Sequence, residues 1–434
     1  MITNIADNIS SKDGHLTFAG QDTVELAKEY GTPLYLLDED KIRENCRTYT
    51  AAFKKYFGEG SRPLYASKAN SFKGIYRIMQ EEGMGIDVVS PGEIYVAKAA
   101  GYNLSQAYFH GNCKTDADIA FAFDNGVGVF VADNQEEVIA VEAEAAKRGV
   151  KQRVMLRITP GIDPHTYEAI STGKVDSKFG SAVETGQADE IVALTLKQPH
   201  LELVGFHCHV GSQVFAEDVY ERTVIVMIEF AADMKRKYGY ELTELDLGGG
   251  FGVPYVDTDG RFDIDQKLSE IAKTLEDVCA RLGIRKPLYH MEPGRSVVAA
   301  AGMTLYTVGS TKRIPGYKNY VAIDGGMTDN PRYALYGSKY TCFVASRIDE
   351  QKDLEVSIVG RCCESGDIIQ RDVMVPATVQ RGDIVAVCTT GAYNYAMASN
   401  YNKIPYPAMV LLKDGESKIA IKRQSYADLC MNDV

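Results

Sequence analysis

Five short stretches of this 434-residue sequence set reactive side chains beside glycine or at the end of an apolar run. They are Ser67-Lys68-Ala69-Asn70, Asp87 with Ser90-Pro91-Gly92-Glu93, His207-Cys208-His209-Val210-Gly211-Ser212-Gln213, Gly248-Gly249-Gly250-Phe251-Gly252, and Glu292-Pro293-Gly294-Arg295-Ser296. Lys68 follows the apolar run Pro-Leu-Tyr-Ala-Ser. It is either a solvated surface charge or, if desolvated, an amine whose lowered pKa lets it attack a carbonyl. Consecutive glycines let backbone N–H groups approach an anion with no Cβ in the way, the alternative being a flexible turn. Gly294-Arg295, at the equivalent place after the next apolar run, favours a phosphate site. A Schiff-base lysine with a phosphate site suits a phosphorylated aldehyde, and pyridoxal phosphate is the commonest such cofactor in amino-acid chemistry.

Glu292 beside a phosphate cradle needs something positive facing it. A protonated pyridine nitrogen would serve and would make the ring an electron sink; on spacing alone, Arg295 would serve as well. His207 and His209 alternate along one strand and share a face. They can bind a metal ion if His110 or His290 joins them, which would suit a metal-dependent barrel hydrolase. One of them can instead stack on a flat aromatic cofactor, and His207 can simply be a core histidine.

These residues need a scaffold that gathers strand ends. Eight apolar runs supply one: 63–67, 85–90, 107–111, 128–132, 153–158, 203–210, 244–247 and 288–292. Between them lie stretches with helical three- and four-residue apolar spacing, including 135–148, 216–238 and 264–282. Eight βα units in sequence predict a (β/α)8 TIM-like barrel, with chemistry at the C-terminal ends of its strands. An open doubly wound sheet gives a similar pattern, but no GxGxxG follows the first strand to support its dinucleotide-binding version. After residue 300 the runs 303–308, 320–323, 354–359, 384–387 and 409–412 are strand-like, and turn signals such as Asp324-Gly325, Arg381-Gly382-Asp383 and Lys413-Asp414-Gly415 separate them. The first ~35 residues (HLTFAG, TPLYLLD) also read as extended. The expected organisation is α/β: a barrel over 36–300, with 1–35 and 301–434 forming a C-terminal all-β domain that takes in the N-terminal segment.

The net charge of −12 argues against non-specific binding to nucleic acid or anionic membranes. No apolar run approaches the ~20 residues of a membrane span, and the N-terminus lacks a signal peptide's basic start, so a cytoplasmic protein is expected. Nine scattered cysteines without a CxxC do not read as a disulfide framework. Only the adjacent Cys362 and Cys363, in GRCCESGD, stand out.

Taken in order, the blocks YASKAN, GIDVVSPGE, ITPGIDPHTYEAISTG with DSKFG, GFHCHVGSQ, LDLGGGFG, MEPGRSVV, IDGGMTDNPRYALY, CCESGD and TTGAYNYAMASNYN resemble the alanine racemase-like, fold-type-III pyridoxal-phosphate decarboxylases. Each block is modestly specific; the ordered set, between residues 65 and 402, is very specific. The resemblance implies pyridoxal 5'-phosphate as cofactor, no metal, and a homodimer in which the CCESGD segment reaches the partner's barrel. By the same resemblance Lys68 carries the cofactor covalently and His209 stacks on its ring. Glu292 faces the ring nitrogen, and Ser212, Gly249, Gly250, Gly294, Arg295 and Tyr393 hold the phosphate. Arg295, Arg332, Tyr336, Glu364 and Tyr393 contact the substrate, and Cys363 is the general acid.

The ornithine-specific branch looks similar at the lysine, histidine and EPGR blocks. It has aspartate where this chain has Glu364, and it lacks the NPRYALY block. Arg332 and Tyr336 there suit a second amino-acid head group, whose carboxylate an arginine can hold with two parallel hydrogen bonds. The implied reaction is decarboxylation of meso-2,6-diaminopimelate to L-lysine and CO2, the last step of lysine biosynthesis. Related decarboxylases of ornithine, arginine or carboxynorspermidine type, and the metal-dependent hydrolase using His207 and His209, are the alternatives. Two positions depart from the family pattern. Asn394 stands where many members have glycine, and Cys362 precedes the expected cysteine, leaving open which thiol faces the cofactor.

Overall fold

Each of the eight apolar runs forms a strand: Arg62–Ala66, Gly85–Val88, Ala107–Phe109, Val129–Ala132, Gln152–Thr159, Leu201–His207, Glu244–Asp246 and Leu288–Met291. Neighbours in this order pair in parallel, and the eighth pairs with the first, so the sheet closes into a barrel. The computed structural model describes residues 2–162 and 175–434; stretch 163–174, which takes in all but the first five residues of the ITPGIDPHTYEAISTG block, lies outside the described residues. Leu64, Tyr108, Val129, Val131, Met155 and Val204 form one buried apolar cluster among these strands.

The helices between the strands follow their caps. Asn134 accepts from Glu137 N–H and Gly149 ends the helix in the left-handed region, bounding Gln135–Arg148. Asp263 and Gly283 bound Ile264–Leu282 in the same way. The helix expected from residue 216 begins later, as Val219–Tyr238. Val214 accounts for the delay, because it bridges to Phe251 and exchanges backbone hydrogen bonds with Gly250 and Gly252. Helix Glu39–Tyr56 precedes the first strand, yet its C-terminal part covers the eighth: Phe53 and Phe57 pack on Tyr289 at centroid distances of 5.8 and 4.2 Å. The barrel unit comprises Asn45–Gly252 and Arg261–Gly294.

A second unit comprises Met1–Glu44, Val253–Gly260 and Arg295–Val434. Its sheet runs in the order Ile368–Val375, Leu354–Val359, Lys318–Ile323, Gly302–Ile314, Leu34–Asp38, Ala408–Lys413, Glu416–Ile421. The TPLYLLD segment thus enters the sheet's middle, antiparallel to Gly302–Ile314 and parallel to Ala408–Lys413. Leu34, Leu36, Met303, Leu305, Phe343, Ala386, Val410 and Leu412 share its core. One expectation fails here. Thr23–Tyr30 is a helix, not extended chain, because Asp22 caps the N–H groups of Val24 and Glu25 while Leu26 and Ala27 bury. No helix among the described residues is long and apolar enough to cross a membrane.

Candidate active site

The barrel's polar residues collect where its strands end. Asp87 is the third residue of the second strand and His110 follows the third. Arg157 is on the fifth, His207 and Asp246 end the sixth and seventh, and Glu292 follows the eighth. His110 Nε2 lies 2.9 Å from Glu292 Oε1, and His207 Nε2 lies 3.3 Å from the same oxygen. Donor atoms of His110, His207, Asp246 and Glu292 all fall within 4.8 Å of one another, and all four residues are buried. Burial acts to raise the Glu292 pKa, but the two imidazoles outweigh it and hold the carboxyl well below its usual range. Asp246 responds oppositely: burial, then the neighbouring Glu292 charge, push it well up. Burial pulls His207 down to about 3, so this imidazole is neutral. The two carboxyls of the group are thus driven in opposite directions, Glu292 down and Asp246 up.

The glycines beside it are required by packing. A Cβ on Gly249 would sit 2.1 Å from the Glu292 carbonyl oxygen, and one on Gly250 would sit 2.1 Å from that of Gly211. The triple glycine thus lets the loop after the seventh strand wedge between the loops after the sixth and eighth. Among the described residues no backbone carbonyl accepts from the N–H groups of Gly249 or Gly250. Gly294 meets the Lys68 turn: its Cβ would lie 2.9 Å from Ala66 Cβ and 3.1 Å from Ala69 Cβ, and Ala66 N–H donates to Pro293 O at 3.2 Å.

Lys68 occupies a single 3₁₀ turn, Ser67–Ala69, directly after the first strand. Its side chain is exposed. The desolvation weighed for it is not found, because the turn carries it past the strand end to the rim. It still belongs to the polar group, since its charge acts on both Asp87 and His209. The His209 imidazole is held well below its usual pKa by burial first and by the Lys68 charge second.

The histidine pairing weighed for a metal is not the one found. His207 turns to His110, with ring centroids 4.7 Å apart, and His209 lies outside their group. His290 sits with Tyr108, Glu244 and the Arg62 carbonyl. Arg157 and Asp246 escaped the sequence reading; their only signal was a charge interrupting an apolar strand.

The second unit carries a compact basic-aromatic group. Arg295 Nη1 donates to Tyr255 OH at 2.7 Å, and its guanidinium lies 4.8 Å from the Tyr393 ring centroid. The Arg332 guanidinium lies 5.5 Å from the Tyr393 ring, 5.6 Å from Tyr255 and 6.0 Å from Tyr336. No carboxylate among the described residues pairs with Arg332, although it is 6% exposed. Burial would raise the Tyr255 phenol, but Arg295 and Arg332 together lower it. Tyr255, missed from sequence, stands in the VPYVD stretch after the triple glycine. Asn394 is fully buried and accepts from Tyr340 OH at 3.3 Å.

The CCESGD loop is pinned by its aspartate. Asp367 accepts from Cys362 N–H at 2.7 Å and Met327 N–H at 2.6 Å. Cys362 is thereby turned inward, and burial pushes its thiol up to about 12. Cys363 and Glu364 are exposed. The structure thus separates the two thiols that sequence left open.

Residues 39–299 match the family model described as the pyridoxal-binding domain of pyridoxal-dependent decarboxylases. The chain is 41% identical over 424 residues to a diaminopimelate decarboxylase of Bacillus subtilis, covering 98% of this chain and 96% of that one. It is 41% identical to the Staphylococcus aureus protein of the same name, covering 98% of each. Among solved structures, the diaminopimelate decarboxylase of M. jannaschii in complex with L-lysine superposes with a TM-score of 0.91 at 35% identity, covering 99% of this chain and 98% of that one. The Helicobacter pylori protein of the same name, also complexed with L-lysine, gives 0.85 at 31% identity, covering 94% and 98%.

Proposed function

The chain belongs to the pyridoxal-dependent decarboxylase family, and we propose that within it the chain converts meso-2,6-diaminopimelate to L-lysine and CO2. One observation carries the reading: the Lys68 amine and the Glu292 carboxylate both act on Asp87 at one barrel rim, with the triple glycine beside them. The residues fit pyridoxal phosphate. An exposed amine can take the aldehyde, a buried anion can meet a ring N–H, and two loop N–H groups not taken by backbone can meet the phosphate.

When bound, that cofactor supplies an aldehyde for the substrate amine and a ring that accepts electrons. Lys68 is the amine that tethers it. Gly249, Gly250, Gly294, Arg295 and Tyr393, with Ser212, are assigned to its phosphate and His209 to its ring face. Glu292 holds the proton at the ring nitrogen. Arg332, Tyr336, Glu364, Arg295 and Tyr393 are assigned to the substrate. Arg332 takes the distal carboxylate, because a buried guanidinium without a carboxylate partner matches an anion. When the bond to the departing carboxylate breaks, Cys363 gives its proton to the carbon left behind. Cys362 is buried and turned inward, so the role is assigned to its exposed neighbour.

The active unit is proposed to be a cytoplasmic homodimer with shared sites. Mixing Lys68→Ala with Cys363→Ala subunits should then recover up to ~25% of activity if exchange is random. The decisive assay supplies meso-diaminopimelate, ornithine and arginine with pyridoxal phosphate and quantifies each product. Lysine formed from diaminopimelate, with the others far slower, is expected. Preference for ornithine or arginine would place the chain in another branch.

A further inference from the structure

Glu292 is not solitary at its rim. Two imidazoles from different strands address one of its oxygens, at 2.9 and 3.3 Å, and both are buried. We infer that His110, with His207, is a positioning residue: the pair fixes Glu292 through Oε1 so that its carboxylate meets the cofactor's ring nitrogen as an anion. This rests on the function proposed above and adds to it residues that never touch the substrate.

The need for such a pair follows from the surroundings. A buried carboxylate takes up a proton unless charge or hydrogen bonding opposes it. Asp87 on the second strand and Asp246 on the seventh are its acidic neighbours, and the Glu292 charge pushes both of them up. Arg157 on the fifth strand, with Cys208 and His209 beside the sixth, also interacts with the Glu292 charge. His110, His207 and Asp246 all reach Glu292, and of these the two imidazoles are the ones that lower it. A protonated Glu292 would face the ring nitrogen with a neutral acid, and the ion pair that keeps the ring protonated would be lost. His110 backbone N–H donates to Val88 O at 2.8 Å, so the third strand fixes the ring's origin, while His207 is anchored within the sixth. Glu292 N–H is tied to Gly248 O at 2.8 Å, so the backbone is held, and Oε1 lies within ion-pair distance of both imidazoles though not aligned for a hydrogen bond with either.

The test measures pyridoxal 5'-phosphate affinity of the full-length, cofactor-depleted chain by equilibrium dialysis from pH 5 to 9, for wild type, His110→Leu and His110→Gln. Leucine removes the N–H donor; glutamine restores one. In wild type, affinity should hold as pH falls. In His110→Leu the Glu292 pKa rises, so binding should be lost at a pH ~1 unit higher, with ~10-fold weaker affinity at pH 6. His110→Gln should return to within ~3-fold of wild type. Equal losses in both variants, or an unmoved acid limb in a folded His110→Leu protein, would overturn the inference. Should His110→Leu not fold, carboxyl-carbon NMR of the cofactor-depleted wild type decides, with the resonance assigned by its loss in Glu292→Gln. A Glu292 signal ionised down to pH 5 supports the inference, and one titrating between pH 5 and 8 overturns it. So would stoichiometric zinc that His110→Leu releases. Failure of wild type to bind pyridoxal phosphate at any pH would instead remove the proposed function, and the NMR titration would still decide the state of Glu292.

Discussion

Replacing Arg332 by alanine should damage recognition of one end of the substrate and little else. Arg332 is 6% exposed, ringed by Tyr255, Tyr336 and Tyr393, and touches Ser338 Oγ at 3.1 Å. A carboxylate placed there would be gripped by a guanidinium already removed from water. Truncating one partner of such a buried charged pair costs ~2–5 kcal/mol. At 1.36 kcal/mol per tenfold, that is a loss of ~30- to ~5,000-fold in kcat/KM for diaminopimelate. The control is chemical. L-Lysine, the product, keeps the distal carboxylate, whereas cadaverine is lysine without it. Inhibition by lysine should weaken in the same range, while inhibition by cadaverine should change less than ~3-fold, because it never made the contact. Steady-state kinetics with both inhibitors, on wild type and Arg332→Ala, gives all the numbers. Equal proportional losses for lysine and cadaverine, with a lowered Tm, would refute the reasoning and reduce Arg332 to a tie between its own loop, Tyr255 and Ser338.

Four further outcomes are expected. Lys68→Ala should abolish turnover while stability, read by urea unfolding, moves by no more than ~0.5 kcal/mol, since the side chain is exposed; Lys68→Arg should fail too, because guanidinium stays protonated. Cys363→Ala should slow decarboxylation by ~10²- to 10⁴-fold, the usual worth of a general acid, whereas Cys362→Ala should keep most activity; pre-steady-state kinetics separates them. Lys114→Met should cost ~3–5 kcal/mol in unfolding free energy, because it strands the buried Glu137 carboxylate and three bonds from Nζ, to Gly111 O and Val131 O at 2.8 Å and to Glu137 Oε2 at 3.0 Å. Asp329 should make stability fall with rising pH: burial pushes its carboxyl up to about 7 from 3.8, so the folded chain holds the proton more tightly, its contribution is full below pH ~4 and is lost as pH passes ~7. Asp329→Asn should flatten that slope in urea titrations across the same range.

What the sequence made legible was local. Gln135–Arg148 and Ile264–Leu282 were read to the residue because an Asn or Asp cap and a terminal glycine bracket each. Barrel strands were found within a few residues because strands buried on both faces leave continuous apolar runs. Cys342–Val344, Ile368–Val375 and Glu416–Ile421 were missed: the first is three residues long, and the other two mix charged residues into strands at the sheet's margins. Lys68, His209, the triple glycine and Glu292 were legible because each stands in a short motif at a strand end. Arg157 and Asp246 were not, since a single charge in an apolar strand shows its purpose only when closure of the barrel brings distant strands together. Tyr255 was hidden for the same reason, as its partners Arg295 and Arg332 lie 40 and 77 residues away. The two thiols could be told apart only by the Asp367 hydrogen bonds that turn Cys362 inward.

The proposed function turns on Lys68 as the amine through which this barrel does its chemistry. Borohydride reduction of the purified chain in the presence of pyridoxal 5'-phosphate, followed by peptide mass mapping, tests it directly. One reduced cofactor per chain on the peptide containing Lys68, with loss of lysine formation in proportion to labelling, is the predicted result. Label on another lysine, or full activity after quantitative labelling of Lys68, would contradict it.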